Sequence, residues 1–346
     1  MKERINKLRK YMEKNGFDCV VVTDEKNVFY FSGFTGEGRL IVFRDKAVLL
    51  TDFRYIIQAK GEVFGADVAD VASISLKSII SDCKKVGFED VSISYNAYRA
   101  IMAANENIAP LGNAIMQMRA VKDESELECI CRAEHIGDMA FTHILEFLRP
   151  GIKERDVALE LEMYMKKSGA SALSFDVIAA SGENGAMPHA VPGERILQKG
   201  DFVVLDFGCV YGGYSSDMTR TVCIGKASDG QKNVYNTVLA AQTAAIGMLC
   251  SGCIPADVHN TAQKIIDEKY PGSFGHALGH GVGLDIHEMP NLSPRNTKPL
   301  ASGNVVTVEP GIYLEDFCGV RIEDLVYIDN GCIQNLTNSD KNLIEI

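Results

Sequence analysis

Along the first third of the chain, apolar residues come in short bursts separated by turn formers. Residues 19–23 (CVVVT), 28–31 (VFYF), 39–43 (RLIVF) and 47–51 (AVLLT) have strand length and strand composition, and they predict one mixed sheet. Helices are expected over 53–60 and 76–85, with a further strand at Val91–Tyr95. These elements make a small α/β unit ending near residue 120. The polar stretch from Arg119 to Glu126 then reads as a helix start, with Asp123 as the N-cap and Glu126 as the acid of a capping box. A domain boundary is expected there, dividing the chain into 1–120 and 121–346.

Past that boundary the periodicity becomes helical, predicting long helices over 123–148, 153–168, 228–250 and 255–269. Two hairpin signals accompany them. Segments 202–207 and 214–223 flank Tyr211-Gly212-Gly213, and segments 304–309 and 319–328 flank a less regular loop. The second domain is therefore expected to be α+β, with its helices grouped apart from an antiparallel sheet.

Composition narrows the function. A chain of 346 residues with 46% hydrophobic and 23% charged residues is ordinary for a globular protein with sizeable cores. A net charge of −11 argues against nucleic acid, which is bound through concentrated Lys and Arg. No run of 18 apolar residues predicts a membrane span, and the first residues, MKERINKLRKYMEKNGF, lack the apolar core of a secretory signal. The ten cysteines follow no framework, which points to reduced thiols in the cytoplasm. Cys250 and Cys253 have redox-motif spacing but follow an apolar helix rather than a strand, so they read as structural.

The most informative pattern is an internal repeat. Leu197–Gly208 (LQKGDFVVLDFG) lies over Leu300–Gly311 (LASGNVVTVEPG) at one constant separation, which sets Asp206 over Glu309. Upstream of each copy is a His-x-x-Pro, beginning at His189 and at His287. Downstream of each is a return strand with a second acid, Asp217 and Glu323. The reading is a pseudo-twofold domain whose halves face each other, each offering two carboxylates and a histidine, with Asp217 and Glu323 as corresponding acids. A turn at Gly212-Gly213 sets Asp217 opposite Gly208 and leaves Asp206 and Asp217 as diagonal neighbours on one face.

Asp206 and Glu309 interrupt apolar strands, where a carboxylate is costly to bury unless paired or metal-bound. For either acid alone, an exposed strand end is the plain alternative. The Gly- and His-rich segment Gly275–Gly283 contains His276 and His280 but lacks the Gly-Lys-Ser/Thr of a phosphate loop. His287-Glu288 is not a zincin pair, because residue 291 is Asn, and His135, His143 and His259 fall on predicted helices with no site role. Four carboxylates and one imidazole form a hard, oxygen-rich set that suits manganese, or cobalt, better than the thiolate sites zinc prefers. Bridging carboxylates hold two ions about 3.5–4 Å apart, a spacing that activates a water between them. Nearby histidines would shuttle protons and stabilise a tetrahedral intermediate.

These residues resemble the aminopeptidase P and prolidase family of metallopeptidases, which share a pita-bread catalytic fold with methionine aminopeptidase and creatinase. The resemblance spans the chain. Asn27–Gly36 (NVFYFSGFTG) and Thr51-Asp-Phe-Arg54 are similar to the creatinase-type N-terminal domain. Leu205-Asp-Phe-Gly, Ser216-Asp-Met-Thr-Arg-Thr, Gly279-His-Gly-Val-Gly-Leu-Asp-Ile-His, Val308-Glu-Pro-Gly-Ile-Tyr and Val320-Arg-Ile-Glu-Asp are similar to the catalytic motifs. It implies that Asp206 chelates one metal, that Asp217 and Glu323 bridge two, and that His280 and Glu309 complete the second site, with Glu309 also a proton carrier. The ions it implies are two divalent metals, manganese first, with cobalt or zinc as alternatives. His189 and His287 match histidines that contact substrate and intermediate, His276 matches another active-site histidine, and Arg321 and Tyr313 match residues that orient carboxylates and substrate.

The family's reaction is hydrolysis of the bond before proline in Xaa-Pro peptides, and its N-terminal domain implies a homodimer. In some prolidases an arginine follows the His-Glu-x-Pro segment; here that residue is Asn291, with Arg295 further on, which points to an aminopeptidase rather than a strict dipeptidase. A creatinase-like hydrolase, which needs no metal, and a non-catalytic binding protein are both disfavoured by the full set of five ligands. A methionine aminopeptidase has no need of the large N-terminal domain.

Overall fold

The apolar run Cys19–Val22 forms β1, buried along its whole length near the middle of a six-stranded sheet. β2 (Arg39–Phe43) and β3 (Ala47–Thr51) continue from it as an antiparallel meander, while β4 (Asp67–Asp70), β5 (Val86–Phe88) and β6 (Ile108–Pro110) add parallel neighbours. The helices of this unit are α1 (Lys2–Asn15), α2 (Glu25–Ser32), α3 (Ile56–Glu62), α4 (Leu76–Ile80), α5 (Tyr95–Ala104) and α6 (Ala114–Ala120). The computed structural model describes residues 1–346, and the chain divides into two units, Met1–Arg119 and Ala120–Ile346.

Three local expectations are corrected here. The apolar run 28–31 is helical, because the Asp24 side chain accepts the Asn27 N–H and caps α2, whose residues are buried on more than one face. A four-residue apolar run does not by itself distinguish a strand from a buried helix. The strand expected at Val91–Tyr95 lies earlier, at β5, and Ser94 instead caps α5 by accepting the Ala97 N–H. The helix expected over 76–85 stops at Ile80, and the chain turns into β5.

The second unit is built as two successive copies of a helix pair followed by strands. The first copy contains α7 (Glu124–Phe147), α8 (Glu154–Lys167), β7 (Ala172–Leu173), β8 (Ile178–Ser181), β9 (Phe202–Phe207), β10 (Cys209–Tyr211), β11 (Tyr214–Ser215) and β12 (Met218–Cys223). The second contains α9 (Asp229–Met248), α10 (Pro255–Asp267), β13 (Gly279–Gly281), β14 (Glu288–Leu292), β15 (Val305–Val308), β16 (Gly311–Leu314), β17 (Cys318–Arg321), β18 (Asp324–Ile328) and β19 (Ile333–Asn335). Capping boxes open the first helix of each copy, Asp123 with Glu126 and Ser228 with Gln231. Each copy has its own core. Ile136, Phe141 and Leu161 pack on Val203, Leu205 and Val222, whereas Val234, Val238 and Val258 pack on Val306, Val320 and Val326. No helix is long and apolar enough to cross a membrane.

Register decides which acids correspond. In the first copy Phe207 opposes Met218 and Tyr211 opposes Tyr214, so the same pairing sets Asp217 opposite Gly208. In the second copy Val308 opposes Asp324 and Gly311 opposes Arg321, which sets Glu309 opposite Glu323. The counterpart of Asp217 is therefore Arg321, and the counterpart of Glu323 is Thr219, which opposes Asp206. The expected equivalence of Asp217 and Glu323 is off by two residues along the return strand. Both halves meet at an isolated antiparallel bridge between Thr219 and Glu323.

Candidate metal centre

The four acids of the expected ligand set lie at or beside strand ends near this bridge, and the histidine lies within a short strand. Asp206 is the penultimate residue of β9, Asp217 immediately precedes β12, and His280 is the middle residue of β13. Glu309 follows β15, and Glu323 lies between β17 and β18. Asp217 and Glu323 are 4% and 1% exposed. Ligand atoms of Asp217, His280 and Glu323 lie within 4.8 Å of one another. His280 Nε2 is 3.3 Å from Asp217 Oδ2 and 3.4 Å from Glu309 Oε1.

The electrostatics call for cations. Burial, followed by the charges of its acidic neighbours, pushes the Asp217 carboxyl well above its ordinary range, and the same causes act on Glu323. Burial also raises Glu309, with His280 and Arg321 pulling the other way. Asp206 Oδ1 and Glu323 Oε1 are buried with no hydrogen-bond partner, a costly condition for a carboxylate oxygen. His280 Nδ1 lies 3.2 Å from the Gly281 carbonyl, which only accepts. Nδ1 therefore donates to that carbonyl, and Nε2 faces two carboxylates. In the neutral ring that ligates metal, the Nε2 lone pair would be repelled by these anions unless a cation lay between them. A donor set of this kind fits divalent metal, and a hydrogen bond from Nδ1 to a backbone carbonyl is the usual device for orienting a ligating histidine.

Around these five residues is a supporting network in which Arg321 is the hub. It donates to Asp206 Oδ2 (2.5 Å), to the Thr219 hydroxyl (3.1 Å), to the Tyr313 hydroxyl (2.9 Å) and to the Pro188 carbonyl (3.3 Å). Thr219 in turn donates to Glu323 Oε2 at 2.6 Å. His276 Nδ1 lies 2.8 Å from the Ala277 carbonyl, so its Nε2 accepts from Tyr313, 3.0 Å away. Burial pushes the His276 ring down to about 4, which suits this neutral acceptor. With both nitrogens engaged, His276 stands behind Tyr313 and Arg321 rather than among the ligands.

His287 immediately precedes β14, and its ring packs edge-on against His280 with centroids 4.2 Å apart. His189 is exposed, on the loop that follows a 3-10 turn at Gly182–Ala186. It is near enough that its charge would disfavour protonation of His276 and His287, although burial is the larger cause at both. Gly185 and Gly319 touch backbone to backbone, an approach that any Cβ would block, and this seats the His189 loop against β17.

Several working residues escaped the sequence reading. Thr307 accepts the His280 N–H (3.0 Å) and donates to Glu309 Oε1 (3.2 Å). Glu134 on α7, pushed up to about 8 chiefly by burial, accepts the Asp217 N–H (3.3 Å) and the Thr337 hydroxyl (2.5 Å). Lys122 is fully buried against Glu288, beside His287, at 2.6 Å. Thr219 alone had a readable signal, since counting register from the Gly212-Gly213 turn sets it opposite Asp206.

Residues 128–330 match the model of Metallopeptidase family M24, and residues 4–121 match the Creatinase/Prolidase N-terminal domain. An Xaa-Pro dipeptidase of Pyrococcus furiosus is 36% identical, over 99% of this chain and 100% of its own. Among solved structures, an Xaa-Pro dipeptidase from Bacillus anthracis superposes with a TM-score of 0.95 at 38% identity, covering 100% of this chain and 99% of that one. An X-Pro aminopeptidase from Thermotoga maritima superposes with a TM-score of 0.91 at 36% identity, covering 97% and 100%.

Proposed function

The chain belongs to metallopeptidase family M24 and is a metal-dependent exopeptidase, and we propose that it hydrolyses the bond between an N-terminal residue and proline in Xaa-Pro peptides. The observation that carries this reading is the cluster of Asp206, Asp217, Glu309, Glu323 and His280, with Asp217 and Glu323 buried and two carboxylate oxygens unpartnered, in a chain similar to Xaa-Pro dipeptidases over its whole length. Asp206 would hold one ion, Asp217 and Glu323 both, and His280 with Glu309 the other. The oxygen-rich donor set favours manganese.

When bound, the ions supply Lewis acidity that polarises the scissile carbonyl and lowers the pKa of the attacking water. Glu309 carries a proton from that water to the proline nitrogen, which has no hydrogen of its own and must be protonated to leave. His189 and His287 donate to the carbonyl oxygen as it gains charge. Arg321 and Tyr313, steadied by His276, hold Asp206 and the Thr219–Glu323 pair in place. A site held this way needs little rearrangement during turnover.

Dipeptides are the substrates named for the Pyrococcus furiosus and Bacillus anthracis relatives, and the same chemistry serves here. Asn291, at the position where some prolidases carry an arginine for the substrate carboxylate, favours acceptance of longer peptides as an aminopeptidase. A homodimer is supported by Phe53, Ile57 and Phe64, large apolar side chains left 80%, 86% and 69% exposed on or beside α3. Scattered cysteines without a disulfide framework support the cytoplasm.

The test is a peptidase assay with manganese on Ala-Pro and Ala-Pro-Ala, before and after chelation. Cleavage of at least one, lost on chelation and restored by metal, is expected. Hydrolysis of neither by metal-loaded protein refutes the reading, and cleavage of Ala-Pro alone removes the aminopeptidase form of it.

A further inference from the structure

We propose that Glu154 is the positioning residue for His189, holding both ends of its loop through one buried carboxylate; the proposal rests on the Xaa-Pro reaction assigned above. Glu154 is the first residue of α8 and is 1% exposed. Its Oε1 accepts from the Ser181 N–H (2.7 Å), the Ser181 hydroxyl (2.8 Å) and the Asn184 amide (3.1 Å). Its Oε2 accepts from the same Asn184 amide (3.1 Å) and from the Gly193 N–H (3.3 Å). These donors bracket the loop: Ser181 ends β8, Asn184 lies in the 3-10 turn, and Gly193 lies beyond His189.

Between those anchors, no strand pairing holds the backbone. Met187 N–H bonds to Asn184 and Ala190 N–H to Met187, both local turns. The remaining ties are the Arg155 N–H to the Gly193 carbonyl (3.2 Å), Arg321 to the Pro188 carbonyl and the Gly185–Gly319 approach. Met187, His189 and Val191 are all exposed, so the loop buries little apolar surface of its own near the histidine. Its conformation depends on the polar anchors, and most of these converge on Glu154. Arg195 extends the cluster by joining the Ser181 hydroxyl (2.6 Å) to Asp201 (2.6 Å), and Gly182, at φ +53°, lies directly beneath its guanidinium.

The fold alone does not require this acid. The matching helix of the second copy, α10, begins at Pro255, and the acid of its first turn, Asp257, is exposed. There the histidine loop is held differently, by Lys122 on Glu288 beside His287. Each histidine thus has its own buried carboxylate anchor, reached by a different route.

The test uses full-length protein and five forms: wild type, Glu154→Gln, Asn184→Ala, His189→Ala, and Glu154→Gln with His189→Ala. Gln keeps the volume of Glu but turns one acceptor into a donor, which opposes the Ser181 or Gly193 N–H. With manganese and Ala-Pro, kcat/KM of Glu154→Gln should fall about tenfold to a hundredfold, as expected for a misplaced group. Asn184→Ala should show a smaller loss. The double variant should lie within about threefold of His189→Ala, because a lost contact cannot be lost twice.

Metal content should be unchanged. In metal-free protein, amide hydrogen exchange over 184–193 should quicken about tenfold or more in Glu154→Gln while β9 and β12 keep their protection. Multiplied losses in the double variant, unchanged exchange in 184–193, or a Glu154→Gln kcat/KM within about twofold of wild type would each overturn the proposal. If Glu154→Gln does not fold, Asn184→Ala decides by the same criteria. If wild type cleaves no Xaa-Pro peptide, the substrate reading fails while the exchange measurement still decides whether Glu154 holds the loop.

Discussion

Replacing Asp324 by Asn tests how the halves of the second unit are joined. Asp324 is fully buried and pairs with Arg220, 1% exposed, at 2.8 Å. Every N–H of that guanidinium is engaged: Nε with the Asp340 carbonyl, Nη1 with the Thr219 and Glu323 carbonyls, Nη2 with Asp324 and the Ser339 carbonyl. Arg220 thus ties β12 to the backbone at Glu323 and to the C-terminal segment. Burial pushes the Asp324 carboxyl up, but Arg220 and Lys341 more than reverse it and hold it below the usual range.

Removing one partner of a buried pair costs roughly 3–5 kcal/mol, because the other charge stays buried. Asn keeps one acceptor for Arg220, so the low end, about 3 kcal/mol, is expected for Asp324→Asn. For a unit of this size that lowers Tm by about 6–12 °C. Arg220→Met removes the guanidinium donors to four carbonyls, of which Thr219 alone is seen to keep another, the Glu323 N–H, and should cost at least as much. The doubly substituted protein should lose clearly less than the two losses combined, with a coupling of about 2 kcal/mol. Calorimetry of the four proteins at pH 7 supplies these values. The sign with pH follows from the depressed carboxyl: its stabilisation is present above the unfolded value near 3.8 and is lost as pH falls through the lower folded value. The gap between wild type and Asp324→Asn should therefore narrow only below about pH 4. A Tm drop under about 3 °C, or strictly additive losses, would refute the reasoning.

Two further outcomes are expected. Thr219→Val keeps the shape but removes the hydroxyl that bridges Arg321 and Glu323, so manganese affinity measured by chelator competition should weaken about 10- to 100-fold, and an unchanged affinity would exclude this role. Because burial holds His276 down at about 4, the unfolded chain binds more protons between that value and about 6.5, so stability should fall as pH drops across this window, by up to about 3 kcal/mol. Urea midpoints of metal-free wild type and His276→Gln from pH 4 to 7 check this, and parallel curves would contradict it.

The legible part of this protein is the part encoded by neighbours in sequence. The four long helices of the second unit appear within a few residues of their predicted ends, because apolar periodicity and caps such as Asp123 with Glu126 act over one or two turns. The hairpin turning at Gly212-Gly213 has the expected pairing, because a tight turn dictates register locally. The repeat picked out Asp206 and Glu309 because acids inside apolar strands are conspicuous. Local signals were ambiguous where apolar runs were short, and the Asp24 cap decided α2 against a strand.

Tertiary structure decided how the halves interlock. Asp217 and Glu323 look like partners in sequence, yet the strand register matches Asp217 with Arg321 and Glu323 with Thr219. The residues that hold the centre come from far along the chain: Glu134 on α7 beneath Asp217, Lys122 beside His287, Glu154 under the His189 loop. Nothing in their own surroundings marks them. A buried carboxylate's partners are chosen by which backbone groups folding leaves unpaired, and that is settled only when the two halves close on each other.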